Sequence, residues 1–191
     1  MRIVFCGVGA VGSTAALFCR NLEAELVFVD FDRVESKNLL SQSFVKASIG
    51  KNKAEALKLQ LATFHGRKAE AFGVRLVEAN AEALLGSSGL LVDAFDNEQS
   101  RLALSAYARK ANKALVHAAL AADGAFGLVR WDPRFVADRE DTPGEATCEG
   151  GGHLPMIALL SAALARTIQD FVTSGEQRDS MIHLSSVEPS T

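Results

Sequence analysis

The chain has 191 residues, of which 48% are hydrophobic and 23% charged, and its formal net charge is −3. This length and apolar content suit one globular domain with a sizeable core. The 20 basic and 23 acidic residues form no basic block, which argues against nucleic acid as a partner. The three cysteines lie far apart, which indicates a reducing compartment and leaves no C-x-x-C pair for zinc.

We predict no membrane segment. The longest apolar stretch, 154–171, carries Arg166, Gln169 and Asp170 at its far end and is shorter than a typical bilayer span. A strand is predicted directly after Met1, so we expect no signal peptide. A cytoplasmic location with no membrane partner follows as the expectation.

The hydrophobic pattern predicts strands and helices that alternate along most of the chain. The predicted elements are a strand at 2–6, a helix at 11–21, a strand at 25–29, a long loop at 31–50, a helix at 51–63, a strand at 69–77, a short helix at 80–85, a buried strand at 89–94, a helix at 98–111, and strands at 114–118 and 124–131. This alternation favours an α/β fold, Rossmann-like and doubly wound, with a mostly parallel sheet. The last strands are expected to depart from the parallel core.

The last third of the chain has a different character. The segment 132–152 holds two of the four prolines, several acids and three consecutive glycines, and it predicts a flexible loop. Pro155 predicts the start of a long helix rich in alanine and leucine. We therefore expect a nucleotide-binding domain over 1–173 and a frayed polar tail over 174–191.

The turn after the first strand carries Gly7, Gly9 and Gly12 with G-x-G-x-x-G spacing, and the second strand ends at Asp30. Such a turn lets backbone N–H groups and a helix N-terminus meet an anion, and an acid about 18 residues further on can hold a ribose. The pattern predicts a nucleotide site at the carboxyl edge of the sheet. An NAD-dependent oxidoreductase and an ATP-binding enzyme both fit these residues.

The residues after the second strand separate these two possibilities. They read D-F-D-R-V at 30–34, K-N-L-L-S-Q at 37–42, Lys53 on the next helix, and Asp96-Asn97 after a later strand. The series resembles the ThiF/MoeB/HesA family, bacterial relatives of ubiquitin-activating enzymes. In that family a strand ends in D-x-D-x-V, a loop carries S-N-L-x-R-Q, a lysine follows, and a D-N pair closes a later strand. The resemblance runs from Arg2 to about Val172.

The resemblance implies an adenylyltransferase (a nucleotidyltransferase) that depends on ATP and Mg²⁺. The implied substrate is the C-terminal carboxylate of a small ubiquitin-like or sulfur-carrier protein with a Gly-Gly tail. The resemblance further implies a homodimer. Zinc is not expected, because the paired cysteines common in the family are absent.

Adenylyl transfer needs a glycine cradle, an acid for the ribose, a cation at the phosphates and an acid for magnesium. Lys53 is the candidate phosphate clamp, Asp96 the magnesium ligand and Asp30 the ribose acceptor. Asn38 and Gln42 are candidates to hydrogen-bond phosphate or the substrate carboxylate. The predicted nucleotide-binding set also includes Gly7, Gly9, Gly12, Asp32 and Asn97.

Two of the acids in this set also have a structural interpretation. Asp32 is the more structural of the two acids after the second strand. Asp96 is equally suited to capping the helix that begins near Glu98. Arg101, one helical turn beyond, is a candidate to support the site by pairing with an acid.

Cys148 is a tentative catalytic residue, because its placement resembles the cysteine that some relatives use for sulfur transfer or a thioester. Glu145 and Glu149 oppose formation of its thiolate. His117 ends a predicted buried strand and is more typical of a satisfied core histidine than of a catalyst.

Ser41 stands where the family's loop carries arginine, so one cation expected near the triphosphate is absent. Arg33 and Lys37 on the same loop are candidates to replace it. The substitution motivates a further alternative, a non-catalytic family member that binds a nucleotide or a carrier protein.

Overall fold

The computed structural model describes residues 1–135 and 151–186, and within these ranges seven strands form one mixed sheet. The strands are β1 (Arg2–Cys6), β2 (Glu25–Val29), β3 (Ala69–Phe72), β4 (Leu90–Asp93), β5 (Leu115–Leu120), β6 (Phe126–Trp131) and β7 (Ser180–His183). Their order across the sheet is β3-β2-β1-β4-β5-β6-β7. The first five are parallel, while β6 and β7 are antiparallel to their neighbours. The predicted Rossmann-like fold, mostly parallel with mixed C-terminal strands, is confirmed.

Helices cover both faces of this sheet. They are α1 (Ala10–Phe18), α2 (Lys53–His65), α3 (Glu78–Leu85), α4 (Glu98–Lys110) and α5 (Leu154–Ser174). Side chains of α1, α2 and α5 pack in one hydrophobic cluster, and side chains of α3 and α4 pack in the other. The long loop after β2 contains two short 3-10 helices, Ser36–Leu40 and Lys46–Ser48.

Strand β1 lies between the two layers, which explains its continuous apolar sequence. Ile3 and Phe5 belong to the cluster on one face, and Val4 and Cys6 to the cluster on the other. A parallel strand buried on both faces has no solvent side, so no polar alternation is expected. Burial, and secondarily the nearby Asp93 carboxylate, raises the pKa of the Cys6 thiol well above its usual value.

The C-terminal segment differs from the predicted frayed tail, because Ser180–His183 pair with β6 as the last strand of the sheet. The carboxylate of Asp179 fixes the entry to this strand. It accepts a hydrogen bond from the Trp131 N–H at 3.0 Å and pairs with the Arg134 guanidinium. The hydrogen bond that the Arg134 guanidinium donates to Asp179 is the main reason why the pKa of Asp179 is lowered.

Helix α5 begins one residue before Pro155 and has 21 residues. It contains an 18-residue window with a mean hydropathy of 1.3, so by length and composition alone it could cross a membrane. In the structure it packs against α1 and the sheet, with Leu160, Leu164 and Ile168 fully buried. These contacts are those of a core helix. The loop predicted over 132–152 lies mostly outside the described residues, which include a 3-10 turn at Asp132–Arg134.

Candidate functional site

The turn between β1 and α1 has the backbone geometry of an anion cradle. Gly7 has φ +87°, and a Cβ there would lie 2.7 Å from the backbone carbon of Ala94. A Cβ on Gly12 would lie 2.1 Å from the carbonyl oxygen of Gly7, so that glycine lets α1 pack against the turn. Gly9 precedes α1 and has open space around its Cβ position. A ligand can therefore approach the backbone at Gly9 closely.

A narrow cavity of about 20 Å³ opens beside this turn, and we call it the glycine-turn cavity. It lies where β1, β2 and β4 end, which is the carboxyl edge of a doubly wound sheet. It is lined by Gly7, Gly9, Asp30, Phe31, Asp32, Lys53, Ala94, Phe95, Asp96 and Asn97. The structure thus brings together seven of the residues that the sequence proposes for nucleotide binding. A nucleotide is much larger than this volume and would extend over the open edge of the sheet.

Asp30 ties the end of β2 to the glycine turn. Its Oδ2 accepts a hydrogen bond from the Val8 N–H at 2.8 Å, and its Oδ1 accepts one from the Asp32 N–H at 2.9 Å. Burial raises the pKa of Asp30, and these two N–H donors partly oppose that shift. Because each carboxylate oxygen has a second lone pair, Asp30 can still accept a ribose hydroxyl.

Lys53 is the first residue of α2, and its ammonium group pairs with Asp32. The Nζ lies 3.0 Å from Asp32 Oδ2, and the side chain of Lys53 is only 9% exposed. The backbone N–H of Lys53 also donates to the Asp32 carbonyl at 2.9 Å. The ammonium is therefore held at the cavity rather than spread in solvent.

Asn52 is a positioning residue that the sequence analysis missed. Its Oδ1 caps α2 by accepting from the Glu55 N–H, and its Nδ2 donates to the carbonyls of Asp30 at 2.8 Å and Asp32 at 3.0 Å. One side chain thus joins the start of α2 to the end of β2. An asparagine just before a helix is a recognisable cap signal. The predicted helix starts at 51, so Asn52 falls inside it and is not identified as the cap.

The Asp96-Asn97 pair divides into two roles. Asn97 is the cap of α4, because its Oδ1 accepts from the Ser100 N–H at 2.9 Å. The alternative in which Asp96 caps this helix does not hold. Asp96 is instead exposed on the wall of the glycine-turn cavity, where its carboxylate is available to a ligand.

Arg101 and Asp93 hold the backbone of the turn that carries Asp96. Arg101 Nε donates to the Phe95 carbonyl at 2.7 Å, and its Nη2 donates to the Ala118 carbonyl at 2.9 Å. Asp93 Oδ1 accepts from the Phe95 N–H at 3.0 Å, and its Oδ2 lies 3.8 Å from Arg101 Nε. The predicted pairing of Arg101 with an acid is therefore present, and it acts on the backbone of the turn.

His117 connects this turn to the far end of β6. It is fully buried, with Nδ1 2.7 Å from Asp93 Oδ2 and Nε2 3.1 Å from Asp132 Oδ1. Its ring stacks on Phe135 at 3.9 Å, and Arg109 Nε holds Asp132 at 2.6 Å. His117 does not line the glycine-turn cavity, so the structure places it as a satisfied core histidine within an ionic network.

Some predicted site residues lie elsewhere. Asn38 is 3% exposed and its Oδ1 accepts from the Glu35 N–H at 2.8 Å, which gives it a local capping role. Gln42 does not line the glycine-turn cavity; it lines a second cavity of about 200 Å³, together with residues of α1 and the start of α5. Cys148 lies outside the described residues.

Neither loop cation proposed as a replacement for the family's arginine lines the glycine-turn cavity. Arg33 donates to the Gly50 carbonyl at 2.7 Å, and Lys37 lies 3.7 Å from a Glu35 carboxylate oxygen. Arg75 contacts a lining residue: its guanidinium lies 3.8 Å above the ring of Phe31. No sequence motif marks Arg75, because the contact joins the segment just after β2 to a loop more than forty residues away.

The described residues include no group of three His, Cys, Asp or Glu side chains placed to hold a metal ion. The carboxylates at the cavity therefore do not form a complete protein cage. Mg²⁺ commonly binds through one or two carboxylates together with substrate phosphates and water, and Asp96 fits that arrangement.

Comparison with solved structures finds close structural neighbours at low sequence identity. E. coli MccB with MccA-N7isoASN has a TM-score of 0.75 and 16% identity, covering 96% of this chain and 64% of that chain. PaaA has a TM-score of 0.73 and 15% identity, covering 98% and 70%. E. coli tRNA N6-threonylcarbamoyladenosine dehydratase, TcdA, in complex with ATP has a TM-score of 0.56 and 22% identity, covering 61% and 49%. This chain thus spans less than two thirds of the length of MccB and about half of the length of TcdA.

A comparison with curated proteins finds no significant match. The sequence profile of the ThiF family matches residues 1–175, which is most of the chain. This match agrees with the glycine turn, the acid at the end of β2, and the lysine and Asp96 that meet beside them. The chain belongs to the ThiF family.

Proposed function

We propose that this protein is an ATP- and Mg²⁺-dependent adenylyltransferase that activates a carboxylate as an acyl-adenylate. The observation that carries the proposal is that Lys53 and Asp96 both line the cavity beside the Gly7–Gly9 turn. Lys53 comes from α2 and Asp96 from the turn after β4, so the fold brings two segments that are distant in sequence to one cavity. E. coli MccB, a structural neighbour, has been crystallised with ATP, which supports ATP as the nucleotide.

The charges at the cavity favour a metal-bound triphosphate. Three carboxylates face it against one ammonium, so its lining carries a net charge of −2 when all are ionised. A free tetra-anionic nucleotide would be repelled by this lining. A divalent cation held by Asp96 and by phosphate oxygens would remove that repulsion.

The residues divide the work of positioning and charge stabilisation. In the reaction the substrate carboxylate attacks the α-phosphorus, the bond from that phosphorus to the bridging oxygen breaks, and pyrophosphate leaves with the electron pair. Lys53 would stabilise the charge that develops on the phosphoryl oxygens, and Asp96 would hold the metal, which would supply further positive charge there. Asp30 orients the ribose, and the N–H groups of the glycine turn bind phosphate oxygen.

The proposed substrate is the C-terminal carboxylate of a small ubiquitin-like or sulfur-carrier protein with a Gly-Gly tail. E. coli MccB is crystallised with forms of the peptide MccA, which supports a peptide-like acyl substrate. We also propose a homodimer and a cytoplasmic location. The apolar side chains exposed near the start of α5 support an association surface, since Leu40 is 58% exposed and Leu154 is 46% exposed.

ATP–pyrophosphate exchange in the presence of candidate carrier proteins tests this function. We expect Asp96→Ala to lower exchange at least about 100-fold, because removal of a metal-holding or charge-stabilising group typically costs that much. Glu23→Ala is the matched control, since it removes one exposed carboxylate before β2, at the opposite edge of the sheet. Full activity of Asp96→Ala would refute the assignment.

Two other outcomes identify the alternatives. Micromolar binding of NAD(H) without binding of ATP·Mg²⁺ would favour an oxidoreductase. Binding of ATP·Mg²⁺ or of a carrier without any exchange would favour the non-catalytic family member, which Ser41 motivates. Calorimetric titration with each nucleotide distinguishes the two.

A further inference from the structure

Arg75 lies on a loop that is anchored close to the end of β2. The loop follows β3, and a Cβ on its first residue, Gly73, would lie 2.9 Å from Asn52 Cγ, so the backbone there packs on the side chain that joins α2 to β2. Asn80 Nδ2 donates to the Arg75 carbonyl at 2.9 Å, and Leu76 is only 3% exposed. The backbone at Arg75 is therefore fixed, while its side chain is exposed.

The guanidinium of Arg75 is oriented by one aromatic ring. Its carbon lies 3.8 Å from the centroid of the Phe31 ring, within the range of a cation–π contact. In the part of the chain that the structure describes, Arg75 has no hydrogen bond or ion pair, so its N–H donors remain available. Phe31 is half-buried and lines the glycine-turn cavity. The wall of the cavity therefore continues into an aromatic residue and a planar cation.

The order of the strands indicates which part of a nucleotide reaches these two residues. The glycine turn follows β1, Asp30 follows β2, and the loop of Arg75 follows β3, the edge strand that pairs with β2. Neighbouring strands lie about 4.8 Å apart. With phosphate at the glycine turn and ribose at Asp30, the base lies about one strand spacing further out, at the end of β3. On the other side of β1 lies the Asp96 carboxylate, which suits a metal and phosphates.

A purine base matches the chemistry of this pair of residues. Its flat aromatic face can stack on a phenyl ring or on a guanidinium plane. Its ring nitrogens can accept hydrogen bonds from the available N–H groups of Arg75. A phosphate group matches less well, because Phe31 offers it no donor and the neighbouring Asp30 and Asp32 carboxylates repel it.

We propose that Phe31 and Arg75 form a platform on which the base of the nucleotide stacks. Phe31 supplies an aromatic ring at the cavity, and Arg75 orients that ring and adds a cationic plane. The inference rests on the proposed function for the places of the phosphates and the ribose. It assigns nucleotide-binding roles to two residues that no sequence motif singles out.

Calorimetric titration with ATP·Mg²⁺ and with AMP tests the role of Arg75. Arg75→Ala should weaken binding of both ligands by the same factor, about tenfold, because both carry the same base. A cation that contacts phosphate would instead weaken ATP·Mg²⁺ more than AMP. Arg75→Lys keeps the charge but loses the plane, so it should still bind both ligands severalfold more weakly than the natural protein.

Arg20→Ala is the matched control, because it also removes one exposed arginine. Arg20 follows the last turn of α1, a helix that begins at the glycine turn, so it lies far from the cavity. Its replacement should leave both affinities unchanged. Because Arg75 and Arg20 are both exposed, urea unfolding should show equal stability for all three variants.

Isotope-filtered NOE spectra locate the base directly. With labelled protein and an unlabelled, non-hydrolysable ATP analogue with Mg²⁺, we expect NOEs between the Phe31 ring protons and the H2 or H8 proton of the base. Absence of these NOEs in the bound state would overturn the inference. Equal affinities of Arg75→Ala and Arg20→Ala, full affinity of Arg75→Lys, a larger loss for ATP·Mg²⁺ than for AMP, or no binding of AMP up to its solubility limit would also overturn it.

Failure of the proposed function gives a different pattern. In that case ATP–pyrophosphate exchange would be absent, while the Arg75 variants would still weaken binding of both nucleotides. Failure of the inference alone would leave an exchange activity that depends on Asp96, together with equal affinities of Arg75→Ala and Arg20→Ala. No binding of either nucleotide would overturn both proposals.

Discussion

Gly7, which lines the glycine-turn cavity, combines a positive φ with a close backbone approach. Its φ is +87°, and an added Cβ would approach the Ala94 carbon to 2.7 Å and the Phe95 nitrogen to 2.8 Å. We expect Gly7→Ala to lower the free energy of unfolding by about 1–3 kcal/mol, because an L side chain is strained there. Binding of ATP·Mg²⁺ should weaken as well, since the clash moves the turn that carries Asp96.

Gly9→Ala is the control for the predicted loss of stability only, because Gly9 itself lines the glycine-turn cavity. Gly9 has a negative φ and nothing within 4 Å of its Cβ position, so its replacement should cost less than about 1 kcal/mol. Urea unfolding and calorimetric titration measure both variants. A Gly7→Ala protein as stable as the Gly9→Ala protein would contradict the steric argument.

His117 is the residue on which the buried ionic network depends. Replacing it by leucine would leave the fully buried Asp93 carboxylate without its 2.7 Å partner. We expect His117→Leu to lower the free energy of unfolding by about 1–3 kcal/mol, because a buried carboxylate oxygen of Asp93 loses its hydrogen-bond partner while Arg101 and the Phe95 N–H still contact this side chain. Removing the charge as well, in His117→Leu with Asp93→Asn, should cost less than the sum of the two single changes.

A double-mutant cycle by urea unfolding measures that coupling. Additive effects would show that His117 packs beside Asp93 without electrostatic dependence on it. The same variants also report on the site, since Asp93 holds the Phe95 N–H and thereby the turn before Asp96.

Among the elements, α2 is joined most directly to the candidate site, because its cap and its first residue both contact the end of β2. Asn52→Asp separates the two tasks of the cap. A carboxylate can still accept from the Glu55 N–H, but it cannot donate to the carbonyls of Asp30 and Asp32. We expect Asn52→Asp to weaken binding of ATP·Mg²⁺ severalfold while α2 persists.

Asn52→Ala is the comparison, because it removes the cap and both donors and should lower the free energy of unfolding by about 1–2 kcal/mol. Calorimetry measures the affinity, and circular dichroism follows the helix. If Asn52→Asp bound nucleotide as tightly as the natural protein, the two carbonyl contacts would have no part in positioning Lys53.

The elements also show what sequence reasoning can reach. Strands such as β1 and β4 are continuous apolar runs, because both faces are buried, and their positions were predicted to within a residue. Strand β7 is short and polar, with only Ile182 buried, so its own pattern predicts nothing. It forms because Asp179 fixes the chain to Trp131 and Arg134, which is a long-range contact.

The same limit applies to the site as a whole. Gly7, Asp30, Lys53 and Asp96 were identified from spacing and from a family resemblance, and the structure brings them together at one cavity. The bracing network depends on contacts between segments distant in sequence, such as His117 with Asp93 and Arg101 with the Ala118 carbonyl. Periodicity and local motifs carry no information about such pairs.

At the scale of the whole molecule, acid should destabilise the fold through a few carboxylates whose pKa values are lowered. Burial acts to raise the pKa of Asp132, but hydrogen bonds from Arg109, Ser105 and His117 outweigh it and lower it. The pKa of Asp179 is lowered mainly by its hydrogen bond from Arg134. A lowered folded-state pKa stabilises the fold above the unfolded value of about 3.9, and this stabilisation is lost as the pH falls through the folded value.

Asp30 affects the pH dependence of stability in the opposite direction. Burial raises its pKa, so its ionised form costs stability at neutral pH. We therefore expect the free energy of unfolding to change little between about pH 7 and 5 and to fall below about pH 4. Asp132→Asn should be less stable than the natural protein at pH 7 and should lose less stability on acidification, since its amide does not titrate. Urea unfolding from pH 7 to pH 3 measures both curves, and parallel curves would show that Asp132 contributes nothing to acid sensitivity.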